Sequence, residues 1–466
     1  MEQLRLPLSV CDLRPAEESY RDRLIWLLSQ NLNFHDQRGN YASHSLHAFP
    51  AKFPPQLPRL FIAALTRPGD SVLDPMVGSG TTIIEALLAE RQGIGFDIDP
   101  LARLIATVKT TPLQTDLVMR HGKHVISQAK ILFKTRRSEL EAQLQSRWTD
   151  ESRTFIDYWF APETQVELLA LLIEIEKINN PHIRAFFELT FSSIIITKSG
   201  GVSLALDLAH TRPHRARFVI AKDGQVIIGH DRTGGARQRD NILTRTVRSA
   251  LDEFEKRFWQ NVKGLAALEA QAGRATIHAG NAQHLPLADA SIDLIFTSPP
   301  YAANAIDYMR AHKFSLVWLG HTIPDLGHRR KQYIGGETIT DMIFETLPPD
   351  TMRIVETIAR YDLKKGKVLH RYYSEMTGVL REMFRVLRSD RAAIIVVGSS
   401  VMRGQDTQTP ECLAEIGRCI GFDVPRIGVR QLDRDRRMLP TGTVRNHDSQ
   451  IQQRMHEEYV IGFYKP

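Results

Sequence analysis

Two parts of the chain alternate short apolar segments with amphipathic ones, as in strands and helices wound into a parallel sheet. In the first part a short apolar strand ends at Asp74, the helix Thr82–Arg91 follows, and a second strand lies within 93–100. In the second part we predict a strand that begins within 274–282, further strands at 291–296, Ala392–Val397, Asp423–Val429 and Tyr459–Tyr464, and helices at Ala305–Trp318, Tyr372–Leu387 and Glu411–Ile420. The predicted fold class is α/β, with an open, mostly parallel sheet and helices on both faces.

The segment between these parts, residues 112–270, has a different pattern. Helical periodicity is predicted at Asp116–Glu141, Pro162–Lys177 and Pro181–Thr197, with no strands between the helices. Residues 198–250 are predicted to be irregular. Because this segment does not continue the alternation, we interpret it as an inserted or appended region.

A glycine-rich turn follows the first strand, in the run Asp74-Pro75-Met76-Val77-Gly78-Ser79-Gly80-Thr81-Thr82. Its two glycines let the backbone approach a ligand closely, and the next helix offers free amide groups. Asp97, at the end of the second strand, is placed to bind ribose hydroxyls. The chain lacks the P-loop motif here, and Asp74 would repel a pyrophosphate but suit an ammonium group. The pattern therefore favours S-adenosylmethionine over NAD as the nucleoside ligand.

The next predicted strand of the alternation runs into a turn that carries Asn281 and Ala282. The side-chain amide of Asn281 offers one donor and one acceptor, which could read an adenine edge. Asparagine is equally an ordinary turn residue. Both interpretations of Asn281 stay open at this point.

A rigid polar turn, Thr297-Ser298-Pro299-Pro300-Tyr301, follows the predicted strand at 291–296. Two prolines fix φ and remove two backbone donors, so that nearby carbonyl groups are free to accept hydrogen bonds. With a hydroxyl before them and an aromatic ring after them, they could hold a planar ring that bears an amine. A proline-rich surface turn is the alternative.

Composition and charge permit nucleic-acid binding without requiring it. The 466 residues are 42% hydrophobic and 24% charged, as expected of a globular protein of two or three domains, with a formal net charge of +7. The most basic stretch, 208–250, carries nine lysines and arginines against three acids, and a second basic loop precedes the last strand. The candidates for phosphate contacts are Arg212, Arg215, Arg217, Arg237, Arg239, Arg436 and Arg437. For any one of them alone, a solvated surface arginine is the better interpretation.

Neither a membrane nor a metal is expected as a partner. No secretory signal is visible, and no apolar run reaches the length that spans a bilayer, so we expect a cytoplasmic protein. The three cysteines, Cys11, Cys412 and Cys419, lie far from any metal-ligand spacing.

Together these features strongly resemble the S-adenosylmethionine-dependent DNA amino-methyltransferases, which methylate cytosine N4 or adenine N6. The resemblance is carried by the Phe-Pro-rich loop 44–57, the glycine-rich turn, Asp97 and the Ser-Pro-Pro-Tyr run, and it covers about 44–110 and 274–466. It implies a Rossmann-like class I methyltransferase fold with seven strands, the last one antiparallel. The implied division is a helical segment 1–43, a cofactor-binding half 44–111, a mostly helical target-recognition insertion 112–270 and a catalytic half 271–466.

The resemblance also implies roles for individual residues. The implied cofactor-binding residues are Phe49, Pro50, Phe53, Asp74, Pro75, Gly78, Gly80, Thr81, Thr82, Asp97, Asn281 and Ala282. Asp74 would face the methionine ammonium, and Asn281 stands where aspartate is usual in the family. The implied catalytic residues are Ser298, Pro299, Pro300 and Tyr301. Tyr301 would stack on a flipped base while the Ser298 hydroxyl and the Pro299 carbonyl orient its amine.

The implied activity is site-specific methylation of double-stranded DNA, and Ser298 in place of aspartate favours cytosine N4. Four alternatives stay open: an adenine N6 methyltransferase, an RNA base methyltransferase, a protein-glutamine methyltransferase and an inactive DNA-binding relative. A cognate restriction endonuclease is a further partner that the resemblance suggests.

Overall fold

The computed structural model describes residues 18–49, 52–197, 200–206, 208, 213–220, 224–228, 244–265, 273–302, 307–336, 339, 342–432 and 457–466. In chain order the strands are β1 (Ser71–Asp74), β2 (Gln92–Asp97), β3 (Phe218–Ile220), β4 (Val226–Ile228), β5 (Thr244–Thr246), β6 (Arg274–Ala279), β7 (Ile292–Thr297), β8 (Leu387–Val397), β9 (Val401–Met402), β10 (Gln405–Asp406), β11 (Asp423–Gln431) and β12 (Glu457–Lys465). The helices are α1 (Tyr20–Ser29), α2 (Gln56–Leu65), α3 (Thr81–Leu88), α4 (Pro100–Thr110), α5 (Thr115–Thr135), α6 (Arg137–Ser146), α7 (Asp150–Trp159), α8 (Pro162–Glu176), α9 (Pro181–Ile195), α10 (Ala250–Val262), α11 (Tyr308–Leu316), α12 (Ile323–Lys331), α13 (Pro349–Tyr361), α14 (Leu363–Val386) and α15 (Thr409–Ile420).

Seven strands form the main sheet, in the order β11-β12-β8-β7-β1-β2-β6. Neighbouring strands are parallel except where β12 runs antiparallel to both β11 and β8. The expectation of seven mostly parallel strands with an antiparallel last strand is confirmed. Because β2, β1 and β7 are adjacent and parallel, their carboxyl ends meet at one edge, where open α/β sheets bind ligands.

Alternate residues of the central strands pack against helices on opposite faces of the sheet, which is the two-fold periodicity of a strand. On one face, Phe296 of β7 packs in an apolar cluster with α1 and α2, which contributes the buried ring of Phe61. On the other face, the neighbouring residue Ile295 packs with α14, which contributes the buried ring of Tyr373. The sheet is therefore covered on both sides, as the apolar runs predicted.

The region between β2 and β6 is mostly helical, as expected, but its elements differ in detail. The predicted helix Asp116–Glu141 is two helices, α5 and α6, which break at Arg136 (φ −129°, ψ 35°). Because no glycine or proline marks this break, hydrophobic periodicity alone predicts one continuous helix across it. The helix α7 was not predicted, although Thr149 caps it by accepting a hydrogen bond from the Ser152 amide. The stretch expected to be irregular contains β3, β4 and β5, which form a small separate sheet.

One buried apolar cluster joins this helical region to two elements of the sheet domain. It includes Ile105 on α4, Phe187 on α9, Phe258 on α10 and Phe314 on α11. The helical region therefore shares a core with α4 and α11. The expected boundaries at 43, 111 and 270 stay predictions.

Candidate active site

The carboxyl ends of β2, β1 and β7 open onto a cavity of about 870 Å³. This volume lies within the range of ligand pockets, roughly 300–1,000 Å³. The residues of the predicted site that line it are Phe49, Phe53, Asp74, Pro75, Gly78, Thr81, Asp97, Asn281, Ala282, Ser298 and Pro300. The fold thus brings most of the predicted cofactor residues and half of the Ser-Pro-Pro-Tyr turn into one space.

Asp74 ends β1 with its side chain buried, at 3% exposure. Its Oδ1 accepts a hydrogen bond from the Thr297 hydroxyl at 2.7 Å and another from the Met76 amide at 3.2 Å. Burial raises the pKa of Asp74 to about 7 in spite of these hydrogen bonds. A ligand ammonium group beside it would stabilise the charged form. Asp74 therefore fits the amino end of a methionine-like ligand.

Asp97 ends β2 and holds the glycine-rich turn against the cavity. Its Oδ2 accepts a hydrogen bond from the Gly78 amide at 2.9 Å, and its Oδ1 accepts one from the Asp99 amide at 2.9 Å. Burial and the charge of Asp99 raise the pKa of Asp97 to about 6. Because a carboxylate has about four acceptor sites, ribose hydroxyls can share Asp97 with these two amides.

Two residues of the predicted cofactor set shape the turn without lining the cavity. The Thr82 hydroxyl donates to the Phe296 carbonyl at 3.1 Å, so this side chain faces β7. Gly80 has a φ of +80°, and a Cβ there would lie 3.1 Å from Ala106 Cα on α4. The turn can therefore approach α4 only with glycine at 80, while contact of either residue with the cofactor stays a prediction.

The Ser-Pro-Pro-Tyr turn is divided between the cavity and the sheet. Ser298 and Pro300 line the cavity, whereas Pro299 and Tyr301 are not among the described residues that do. The Tyr301 ring packs against the apolar cluster of α14, and its hydroxyl donates to Glu458 Oε1 at 2.9 Å. Since Glu458 lies on β12, the last strand of the chain holds this tyrosine. Stacking of Tyr301 on a base stays a prediction.

A cavity at the carboxyl ends of parallel strands, lined in part by the glycine-rich turn and by Ser298 and Pro300, agrees with the family comparison. The model of the DNA methylase family, N6/N4 type, matches residues 15–107. Over most of its length, the chain is similar to M.MvaI, a Type II methyltransferase of Kocuria varians. The two are 21% identical over 406 residues, which cover 83% of this chain and 84% of that protein. These similarities support a DNA amino-methyltransferase of the N6/N4 type. S-adenosylmethionine is its methyl donor.

Other Type II methyltransferases show the same likeness over different lengths. M.AvaI of Nostoc sp. is 24% identical over 416 residues, covering 80% of this chain and 75% of that protein. M.MjaII of Methanocaldococcus jannaschii is 37% identical over 93 residues, covering 20% and 17%. A solved TehB-like SAM-dependent methyltransferase from Corynebacterium glutamicum is 10% identical, covering 88% of this chain and 87% of that one. The TM-score between the two structures is 0.27.

Sequence reasoning missed a hydrogen-bonded group in the methyltransferase cavity, formed by Asp99, His312 and Tyr333. Asp99 Oδ1 accepts from the Leu101 amide and caps α4, while its Oδ2 accepts from His312 Nδ1 and from the Tyr333 hydroxyl, each at 2.6 Å. Burial opposes ionisation of Asp99, but the interactions with His312 and Tyr333 outweigh it and lower its pKa to about 2. The Asp-Pro pair signals a helix start. No local pattern signals partners 213 and 234 positions away.

The Phe-Pro-rich loop of the methyltransferase is anchored from two sides. Phe49 stacks on Tyr308 of α11, with 5.2 Å between ring centroids. His47 Nε2 forms a 2.9 Å hydrogen bond with the Ser192 hydroxyl of α9. Lys52, a further cavity residue that sequence reasoning missed, donates to the backbone within this loop. The loop therefore connects the cofactor side of the cavity to the helical region.

Two of the arginines predicted for phosphate contacts, Arg215 and Arg217, lie within the described residues. Arg215 donates to the Tyr158 carbonyl at 2.6 Å, and its guanidinium carbon lies 4.6 Å from the centre of the Tyr158 ring. Arg217 is exposed, and neither arginine lines the cavity. The other five predicted arginines lie outside the described residues: Arg212, Arg237, Arg239, Arg436 and Arg437. Pro50 of the predicted cofactor set also lies outside them. The basic residues that do line the cavity are Lys52, Arg310, His312, His328, Arg330, Lys331, Lys364, Lys365 and Arg371.

The part of the chain that the structure describes contains neither a candidate metal site nor a candidate membrane span. In that part, no group of three or more histidine, cysteine, aspartate or glutamate side chains could hold a metal ion. Within the same part of the chain, no helix combines the length and the apolar character of a membrane span.

Proposed function

We propose that this methyltransferase transfers a methyl group from S-adenosylmethionine to the exocyclic N4 amine of cytosine in double-stranded DNA. The observation that carries the proposal is the direct hydrogen bond between Thr297 and Asp74. It joins the residue that begins the Thr-Ser-Pro-Pro-Tyr turn to the carboxylate suited to a ligand ammonium. A base amine at Ser298 would therefore lie beside the cofactor.

Ser298 supports cytosine as the base. Ser298 lines the cavity, and its neutral hydroxyl can accept a hydrogen bond from a base amine. In the family that the chain resembles, serine in place of aspartate at this position favours cytosine. In the proposed complex the Ser298 hydroxyl and the Pro299 carbonyl accept the two N–H groups of the cytosine amine. The aromatic ring of Tyr301 stacks on one face of the cytosine ring.

The chain itself contributes mainly position and shape to the proposed reaction. When bound, S-adenosylmethionine would supply an electrophilic methyl group: its carbon–sulfur bond breaks as the bond to the amine nitrogen forms, the sulfur leaves as a neutral thioether, and the amine loses one proton to water. Asp74 and Asp97 hold the two ends of that ligand, and Ser298 orients the amine nitrogen toward it. Holding two reactants in line can lower a barrier by roughly 7–11 kcal/mol. Because the amine of a paired base points into the duplex, the base must leave the stack first.

Product analysis tests this proposal directly. The protein is incubated with tritiated S-adenosylmethionine and, separately, with unmethylated genomic DNA, RNA and protein. DNA that takes up label is digested to nucleosides, and we expect N4-methylcytosine. N6-methyladenine would overturn the choice of base, and label in RNA or protein alone would overturn the choice of substrate.

A variant series connects the product to the turn. Ser298→Ala removes the proposed hydroxyl acceptor, so we expect the rate of DNA methylation to fall at least tenfold while S-adenosylmethionine still binds. Ser203→Ala is a matched control, because Ser203 is buried in the helical region and does not line the cavity. Equal rates in the Ser298→Ala variant and the unmodified protein would contradict the role of Ser298.

We also propose a restriction endonuclease of the same sequence specificity as a functional partner. Similarity to proteins named Type II methyltransferases supports this. The test is to isolate DNA from cells that express the protein and to read which sequence is methylated. An endonuclease that cuts this sequence only when it is unmethylated is expected, and cleavage of the methylated DNA at the same rate would contradict the pairing.

A further inference from the structure

The corner between α13 and α14 exposes two large side chains next to the cavity. Tyr361 is 64% exposed and Leu363 is 65% exposed, with only Asp362 between them. The next two residues, Lys364 and Lys365, line the cavity. Large apolar side chains grouped on a surface indicate a site of interaction.

This corner is held firmly, although its apolar side chains are not packed. Asp362 accepts a hydrogen bond from the Lys365 amide at 3.1 Å and pairs with the Arg403 guanidinium at 2.8 Å. The two helices touch directly behind the corner, because a Cβ on Gly366 would lie 2.5 Å from the Ala359 Cβ. Leu363 is therefore presented to solvent from a fixed backbone.

Basic side chains line the cavity on two helices. Lys364 and Lys365 lie at the start of α14, and Lys331 lies in the last turn of α12 together with His328 and with Arg330, which pairs with Asp307. His328, Lys331 and Lys364 are exposed. Such a set of basic side chains suits a polyanion that lies across the cavity, and the phosphates of a duplex are spaced along each strand to meet several cations.

We propose that the α13–α14 corner binds the duplex at the target base, with Leu363 entering the stack where the base has left it. In this arrangement Lys364 and Lys365 contact the phosphates that flank the gap. Apolar side chains inserted between base steps are a known means of holding DNA open. The inference rests on the proposed function, since it requires DNA as the substrate and a base that leaves the duplex.

The experiment compares an intact duplex with one in which the base opposite the target has been removed. The methylated sequence is first read from genomic DNA treated with the unmodified enzyme, and both duplexes carry it. An abasic partner site removes most of the unpairing energy, so a wedge should matter less there. We expect Leu363→Ala to slow methylation of the intact duplex at least tenfold and of the abasic duplex less than threefold.

Ile131→Ala is the matched control, because Ile131 is 51% exposed on α5 and does not line the cavity. We expect it to act like the unmodified enzyme on both duplexes. Binding of S-adenosylmethionine, measured by calorimetry, should be the same in all variants. An equal loss on both duplexes, or no loss on either, would overturn the role of Leu363.

The lysines are tested by the salt dependence of DNA binding. For Lys364→Ala with Lys365→Ala we expect about tenfold weaker binding to duplex DNA and a log–log salt slope smaller by about 2. Arg67→Ala with Arg274→Ala is the control, since both arginines are exposed at the amino ends of strands, at the opposite edge of the sheet. Equal slopes in the two double variants would overturn the phosphate contacts. A failure of the unmodified enzyme to methylate any DNA would instead overturn the proposed function.

Discussion

The Thr297 hydroxyl donates a hydrogen bond to Asp74 Oδ1 across 2.7 Å, and both groups are buried. Thr297 ends β7 and Asp74 ends β1, so this bond ties the ends of two central strands together. The donor precedes the Ser-Pro-Pro-Tyr turn, and the acceptor precedes the glycine-rich turn. The cofactor side and the substrate side of the cavity are therefore coupled through one hydroxyl.

Replacing Thr297 with valine removes this donor and leaves the shape of the side chain almost unchanged. We expect the buried Asp74 carboxylate to lose a partner, which lowers the free energy of unfolding by about 1–3 kcal/mol. Affinity for S-adenosylmethionine should fall about tenfold, as measured by calorimetry. Thr297→Ser keeps the hydroxyl and is the control. If serine and valine weaken cofactor binding equally, the hydrogen bond does not hold Asp74.

The raised pKa of Asp74 predicts how cofactor binding depends on pH. With a pKa of about 7, the carboxyl group is about half protonated in the free protein at neutral pH. A ligand ammonium group favours the ionised carboxylate. As the pH drops below 7, the affinity for S-adenosylmethionine should therefore fall, approaching a tenfold loss for each pH unit. Below pH 6 protonation of Asp97, with its pKa of about 6, adds to this loss. Calorimetry between pH 8 and pH 6 should show uptake of the ligand coupled to proton release.

Asp74→Asn is the control for this pH dependence. We expect this variant to bind S-adenosylmethionine more weakly and with little change in affinity between pH 8 and pH 6.5. In the free protein the folded state binds the Asp74 proton more tightly than the unfolded state, whose aspartates titrate near about 3.9. Stability of the free protein should therefore fall as pH rises from about 4 to 7, and the asparagine variant should lack this part of the fall. Parallel pH profiles in the two proteins would contradict the raised pKa.

Much of the sheet could be predicted because each strand carries its own local signal. The run Ala392–Val397, the second half of β8, is apolar without interruption, and all six of its residues are buried. Turns and helices that follow such strands are equally local. The break at Arg136 could not be predicted, because it depends on how α5 and α6 pack and no residue there forbids a helix. The start of α14 at Leu363 rather than Tyr372 was missed although its signal is local, since Asp362 caps the helix by accepting a hydrogen bond from the Lys365 amide.

Site residues could be predicted where a polar side chain stands directly at the end of a strand. They were harder to predict where the site depends on contacts between elements that are distant in sequence. Asp74 and Asp97 both stand at strand ends, and both line the cavity. The position of Tyr301 depends on Glu458, which is 157 residues away and carries no motif. His312 reaches Asp99 only because α11 packs on the helical region. Sequence patterns reveal such pairs only when the fold is known.

Gly80 is expected to tolerate no side chain. Its φ of +80° strains any other residue, and a Cβ would lie 3.1 Å from Ala106 Cα. We expect Gly80→Ala to lower the free energy of unfolding by about 1–3 kcal/mol and to weaken cofactor binding, because the turn must move. Gly69→Ala is a matched control, since Gly69 has a φ of +88° and open space where its Cβ would be. Urea unfolding that shows the same loss for both would mean that the contact with α4 adds nothing.

The anchoring of Tyr301 by Glu458 separates two roles of this tyrosine. If the ring contacts the target base, Tyr301→Ala should lower kcat for DNA methylation about a hundredfold or more while S-adenosylmethionine still binds. Tyr301→Phe keeps the ring but removes the hydroxyl that donates to Glu458 at 2.9 Å. We expect it to lower kcat only about three- to tenfold, because the ring is present but less firmly placed. Equal kcat values for the phenylalanine and alanine variants would mean that the hydroxyl, not the ring, matters.

A double-mutant cycle tests whether Glu458 acts on the reaction through Tyr301. Glu458→Gln replaces the carboxylate that accepts this hydrogen bond with a neutral amide. It also removes the negative charge that pairs with Arg430. In the unmodified enzyme we expect it to lower kcat about threefold. In the Tyr301→Phe background the hydrogen bond is already absent, so the same change should have little effect on kcat. The loss of stability from the ion pair should appear in both backgrounds alike. Multiplicative effects on kcat would show that Glu458 acts independently of Tyr301.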